Sequence, residues 1–130
     1  MKALFYIGTQ KSEIRQTPEP SIEDGSVVVQ LSHCGICGSD MHAWHGHDAR
    51  RVPPLVLGHE AVGIALNGKF EGQRVALNPL MTCGTCEPCT SGNEHLCAER
   101  ELIGMRVPGA FAEKVAIKEE NIFPIPDHLA

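Results

Sequence analysis

Cys83, Cys86, Cys89 and Cys97 follow one another as Cys-x2-Cys-x2-Cys-x7-Cys. Four thiolates this close can surround one ion, and zinc accepts a tetrahedron of sulfurs because its filled d shell imposes no other geometry. Gly84, Pro88 and Gly92 shape the turns between them. A closed site leaves no place for substrate, so the expected role is structural: the ion orders a loop that has little core of its own. The chemical rival is an iron–sulfur cluster. Bacterial ferredoxins use Cys-x2-Cys-x2-Cys-x3-Cys-Pro, whereas here the last gap is seven residues and Ala98 follows Cys97. A second constellation lies upstream, with Cys37, Ser39, Asp40 and His42 in one stretch and His59-Glu60 about twenty residues later. Cys37 and His59 are soft and borderline donors, and Glu60 adds an oxygen. A catalytic zinc needs three protein donors and one open position. Asp40 can hold the other nitrogen of a ligating histidine. Ser39 and His42 can carry a proton between a bound alcohol and solvent. The plain alternative is a packed cysteine and a surface histidine.

The remaining reactive side chains have simpler expectations. Cys34 and Cys37 form Cys-x-x-Cys, a redox spacing, but no βαβ pattern surrounds it, and Cys34 is expected to be a small buried thiol. His45 and His47 flank Gly46; a second metal there competes with the expectation of exposed loop histidines. Trp44 either lines a substrate cleft or packs on the core. Arg50 and Arg51 read as a solvated turn, with an acidic or phosphorylated substrate as the alternative. His33 and His128 have no visible partners. His95 lies inside the four-cysteine loop as a spectator.

These groups need a scaffold, and 130 residues bound it to one domain. Glycines number 13 and prolines 9, cutting the chain into short apolar runs. The runs are Ala3 to Ile7, Ser26 to Ser32, Val56 to Leu66, Arg74 to Leu77 and Ala110 to Ile117. Val27-Val28-Val29-Gln30-Leu31 is nearly continuous and β-branched, as a buried strand is. Strands at this spacing predict a sandwich or barrel. One helix of about two turns is expected from Ser39-Asp40, either of which can cap it, to Gly46.

Charge and absences narrow the function. Lys plus Arg is 11 against 16 for Asp plus Glu, a net charge of −5. That disfavours nucleic acid, whose binding rests on cations, and an electrostatic membrane anchor. No apolar run reaches the roughly 18 residues of a spanning helix, and no signal peptide is apparent. A cytoplasmic location is expected, where disulfides are rare. No two glycines are spaced as Gly-x-Gly, so the dinucleotide fingerprint is missing.

Gly35-Ile36-Cys37-Gly38-Ser39-Asp40-Met41-His42, Gly58-His59-Glu60-Ala61-Val62-Gly63, the four-cysteine loop, Gly109-Ala110-Phe111-Ala112-Glu113 and Ile125-Pro126-Asp127 occur in one order. That order resembles the N-terminal catalytic domain of the zinc-dependent medium-chain alcohol and polyol dehydrogenases. The resemblance covers the whole chain. It implies a mainly β fold, a GroES-like and partly open β-barrel with short helices, from which a zinc lobe (about residues 80–100) protrudes. It implies oxidation of a small primary or secondary alcohol, or the reverse, with hydride passing to or from NAD or NADP. Cys37, His59 and Glu60 resemble the catalytic zinc site, and Cys83, Cys86, Cys89 and Cys97 the structural one. Ser39 and His42 resemble the proton relay, with His42 also near the cofactor, and Asp40 resembles the partner of His59. There are departures: the stretch from Glu60 to Gly72 is shorter than in most of the family, and Gln73 stands where aspartate is usual.

In the family the third zinc ligand and the Rossmann cofactor domain follow this one. The chain is therefore expected to be the catalytic-domain part of an alcohol or polyol dehydrogenase. Alone, it should bind zinc without turning over alcohol, as a monomer or weak oligomer. The Trp44 to Leu57 loop looks closer to polyol, threonine and sugar-alcohol relatives than to ethanol-type ones. The competing readings are a non-catalytic zinc-stabilised binding module and an iron–sulfur electron carrier.

Overall fold

The computed structural model describes residues 1–129. The expected domain limit at Ala130 lies outside the described residues. The secondary structure is mainly β, in three antiparallel sheets. The first contains β1 (Lys2–Gly8), β2 (Lys11–Gln16) and β4 (Leu55–Val56), in the order β2-β1-β4. The second contains β3 (Ser26–Gly35), β5 (Glu60–Ala65), β6 (Arg74–Leu77), β9 (Lys114–Lys118) and β10 (Ile122–Pro124), in the order β10-β6-β5-β3-β9. A two-stranded ribbon pairs β7 (Leu80–Met81) with β8 (Glu101–Leu102).

β3 is central, and its sequence explains why. Val27, Val28 and Val29 are all buried, which suits a strand covered on both faces. Val27 and Val29 pack with Ala65, Val75, Val115, Ile117, Ile122 and Ile103. Burying each valine or isoleucine contributes about 1.5–3 kcal/mol. A second cluster joins Tyr6, Ala43, Leu55 and Leu57, and Trp44 packs against it.

The segment Phe111–Glu113 links the two large sheets. Its Phe111 carbonyl accepts from Leu4, Ala112 bridges Ala3, and its Glu113 carbonyl accepts from Leu31. One short stretch thus ties β1 to β3 and partly closes the barrel.

Two apolar runs divide where the sequence reads as continuous. Val56 to Leu66 splits into β4 and β5, which belong to different sheets, and His59 falls in the gap. Ala110 to Ile117 splits into the linking segment and β9. β2 has no apolar periodicity: its one apolar residue, Ile14, is exposed like the rest of Lys11–Gln16, and pairing with β1 makes it a strand.

Candidate metal centre

Two groups of donors converge. In the first, one sulfur each from Cys83, Cys86, Cys89 and Cys97 lies within 4.8 Å of the others. Zinc–sulfur bonds of about 2.3 Å in a tetrahedron place sulfurs about 3.8 Å apart. Cys83 and Cys89 are 3.9 Å apart, and Cys86 and Cys89 are 3.4 Å apart. The thiolate set fits zinc in both kind and size. The loop sits between β7 and β8, so the ribbon forms its neck. Inside it are only α2 (Glu87–Thr90) and a 3-10 turn (Glu94–Leu96). Cys97 is fully buried, and Leu96 is 60% exposed. The loop lacks an apolar core, which is the situation in which a metal supplies the folding energy. The backbone N–H groups of Thr85 and Cys86, helped by the Thr85 hydroxyl, hold the Cys83 thiol at about 6. His95 lies in the 3-10 turn and is exposed.

In the second group, Cys37, His59 and Glu60 each place a donor atom within 4.8 Å of the others. Sheet register brings them together. β3 and β5 pair Cys34 with Ala61 and Gly35 with Glu60. Past that last pair, β3 runs into Cys37 while the residue before β5 is His59. A β-bulge between Leu31 and His33 shifts this end of the strand, as bulges next to functional sites do.

Asp40 connects the two halves of this group. It lies in α1 (Gly38–Trp44), for which Cys37 is the N-cap. Its carboxylate accepts the Cys37 N–H through Oδ2 at 3.0 Å and the Gly58 N–H through Oδ1 at 3.2 Å. It is 3% exposed. Such burial of a carboxylate is tolerable only with partners, and these two donors lie on either side of the metal group. Asp40 Oδ1 is also 3.6 Å from His59 Nδ1, a buried nitrogen without a hydrogen-bond partner. Ser39 is half-buried and His42 is exposed on the same helix.

Among the other reactive residues, Cys34 and Arg51 depart from the sequence expectation. Cys34 is exposed rather than buried, although its thiol donates to the Ala110 carbonyl at 2.8 Å. Partial burial pushes its pKa up. Arg50 sits at the surface as a turn residue does, but Arg51 is 3% exposed. Arg51 binds Asp48 and the Gly104 carbonyl, neither of which adjacency to Arg50 reveals. His42, His45 and His47 lie near one another, with ring centroids 6.4 Å apart for His42–His47 and 6.0 Å for His45–His47. His33 is exposed, and its Nδ1 lies 3.2 Å from the Ser32 hydroxyl. A cavity of about 690 Å³ lies along β9 and Arg106–Gly109 and includes none of the seven metal donors. Volume and chemistry do not coincide here, and the donors mark the site.

The antiparallel β domain thus carries a closed four-sulfur cluster and a separate three-donor cluster, both of a kind that suits zinc. The chain belongs to the alcohol dehydrogenase GroES-like domain family, whose pattern matches residues 23–127. Among its relatives is the starvation-sensing protein RspB of Escherichia coli, 36% identical over 122 residues. That match covers 89% of this chain and 35% of RspB. An L-threonine 3-dehydrogenase of Saccharopolyspora erythraea is 38% identical over 126 residues, covering 90% of this chain and 37% of the enzyme. The crystal structure of galactitol-1-phosphate dehydrogenase from Escherichia coli superposes with a TM-score of 0.93 at 29% identity, over 100% of this chain and 39% of that one. That of RspB, determined with NADH, gives 0.92 at 32%, over 100% and 40%. The fold is therefore the GroES-like one of these dehydrogenases. The chain spans little more than a third of the length of the curated relatives it matches.

Proposed function

We propose that this chain is the metal-bearing portion of a zinc-dependent alcohol or polyol dehydrogenase. The observation that supports this most is the meeting of Cys37, His59 and Glu60 at the paired ends of β3 and β5, beside a separate four-sulfur cluster. Cys37, His59 and Glu60 would hold the catalytic zinc, and Cys83, Cys86, Cys89 and Cys97 the structural one. When bound, the catalytic ion acts as a Lewis acid that lowers the alcohol's pKa.

The chain's own residues then have defined tasks. Asp40 faces His59 Nδ1 and fixes the ring's tautomer, leaving Nε2 as the donor. Ser39 accepts the alcohol's proton. His42 lies three residues on, on the same helix face, and its exposed ring passes the proton to water. His42 also approaches the cofactor. NAD or NADP, when bound, would supply the hydride acceptor, as the complex of the related RspB with NADH suggests. These residues would supply the metal-bearing part of the reaction. The substrate is a small alcohol or polyol, by analogy with relatives acting on threonine and on a sugar-alcohol phosphate. The working compartment is the cytoplasm.

Elemental analysis of the chain, purified without added metal and then titrated with zinc, tests this. One zinc should resist dialysis, and a second, weaker equivalent should disappear in His59→Ala. Iron in the chain, no metal at all, or a second equivalent indifferent to His59→Ala would refute the reading.

A further inference from the structure

We propose that the buried Asp48–Arg51 pair is a positioning device for His59, acting through Gly104 and Gly58. The inference rests on His59 being a metal ligand. The Arg51 guanidinium, 2% exposed, donates from Nη1 to Asp48 at 2.6 Å and from Nε to the Gly104 carbonyl at 3.0 Å. Gly104 has a positive φ of 75° and lies flat on the Gly58 backbone. A Cβ on Gly104 would stand 2.7 Å from the Gly58 oxygen and 3.0 Å from its nitrogen. Nothing larger than glycine fits, so whatever fixes Gly104 fixes one side of Gly58.

The other sides of Gly58 are held by groups already described. Its N–H goes to Asp40, its carbonyl accepts from Ala110, and the Leu57 carbonyl accepts from Phe111. Gly109 presses on the same two carbonyls, since a Cβ there would lie 2.4 Å from each. Gly58 is thus clamped by three segments, and His59 is the next residue in the chain. The Gly104 segment is the one of the three held by a buried guanidinium, which is itself paired with a carboxylate.

Stability does not explain that pair. A buried ion pair contributes little net stability, and an apolar side chain of similar volume often replaces it without loss. A methionine at 51 would fill the same space, but it would not hold the Gly104 carbonyl at a fixed point. The guanidinium does so because its planar fork binds two oxygens in a set geometry.

The test uses the 130-residue chain with the four-thiolate site filled with zinc. Two readouts are taken on Arg51→Met: the imidazole nitrogen resonances of ¹⁵N-labelled histidine, and cobalt affinity at the second site by visible absorption. His59 resonances should move while those of His33 and His128 stay, and cobalt should bind at least tenfold more weakly, the range of supporting-residue effects at metal sites. Unmoved His59 resonances with unchanged cobalt affinity would overturn the proposal. If Arg51→Met does not fold, Arg51→Lys, which keeps the charge but loses the fork, is judged by the same two readouts. If the parent chain takes up no second metal, the reading of His59 as a ligand falls. The resonances alone then decide whether Arg51 positions that ring.

Discussion

Asp40→Asn isolates the residue that joins the two halves of the second metal group. The substitution preserves shape and removes one acceptor. In the parent, the two carboxylate oxygens serve two different N–H groups, Cys37 on Oδ2 and Gly58 on Oδ1. An amide has one oxygen and one NH₂. Whichever way it turns, its NH₂ faces one of those N–H groups, donor against donor. Hydrogen bonds to a charged acceptor are worth about 1.5–3 kcal/mol each, and a buried donor left unpaired costs about 1–3 kcal/mol. The retained bond also weakens, because a neutral acceptor is roughly half as effective. Asp40 is 3% exposed, so water does not repair the loss. The expected cost is about 2–4 kcal/mol in all.

For a domain of this size each kcal/mol lowers Tm by about 3–5 °C, so a fall of about 10 °C is expected by circular dichroism. Zinc at the second site should weaken about 10- to 100-fold, as when a supporting partner is lost. The four-thiolate zinc should stay, because Asp40 touches no part of that loop. A Tm within about 2 °C of the parent, with both zinc affinities unchanged, would show that Asp40 does not hold Cys37 and Gly58 together as argued.

Three further outcomes follow from separate parts of the molecule. Zinc in the four-thiolate site should shield Cys83, Cys86, Cys89 and Cys97 from iodoacetamide and leave the exposed Cys34 open to it; peptide mass spectrometry identifies the modified residues, and labelling of Cys83 in the zinc-loaded chain would contradict the assignment. Asp48, whose carboxyl the neighbouring Arg50 and then Arg51 hold well below its ordinary value, adds stability above about pH 4 that is lost as pH falls through its folded pKa; Tm measured from pH 5 to pH 2.5 should therefore fall less steeply in Asp48→Asn, and parallel curves would argue against the pairing. Gly63→Ala should destabilise by about 2 kcal/mol or more, since its Cβ would lie 2.2 Å from the Gln30 carbonyl oxygen, whereas Gly38→Ala, with nothing within 4 Å, should leave stability level or raise it by up to about 1 kcal/mol; urea unfolding of both distinguishes them, and equal effects would refute the packing argument.

What the sequence shows depends on how far apart the partners lie. The four cysteines are legible because their donors are close in the chain and turn residues between them suffice. The end of α1 is legible too, since Gly46 follows it with a positive φ of 79°, but its start is not: Cys37 is the N-cap, and Ser39 and Asp40 lie inside the first turn. The valine run of β3 is recognisable because a strand buried on both faces has no polar alternation. β2 escapes because all six residues are exposed, and pairing alone defines it. The break between β4 and β5 escapes because Leu55, Val56 and Leu57 are buried like a strand interior while belonging to another sheet and its turn. Arg51 reads as surface because its burial depends on the carbonyl of Gly104, 53 residues away.

The second metal group shows why chemistry gathers where a strand pair ends. Inside the ladder, backbone groups are consumed by pairing and side chains point to alternate faces. At Gly35 and Glu60 the pairing of β3 and β5 stops, so Cys37 and His59 come from turns that strand geometry no longer restricts. Gly35 makes the crossing possible: a Cβ there would meet Glu60 Oε2 at 2.5 Å and Glu60 Cβ at 3.2 Å. Without that Cβ, the Glu60 side chain can lie across β3 toward Cys37. The ladder fixes the distance between the two strand ends, and Asp40 fixes the angle between the segments that leave them. The four-sulfur loop needs neither, since its donors are tethered by a few residues. A perturbation of the β3–β5 register should therefore abolish the second site and leave the first intact, which makes zinc stoichiometry a direct measure of that register.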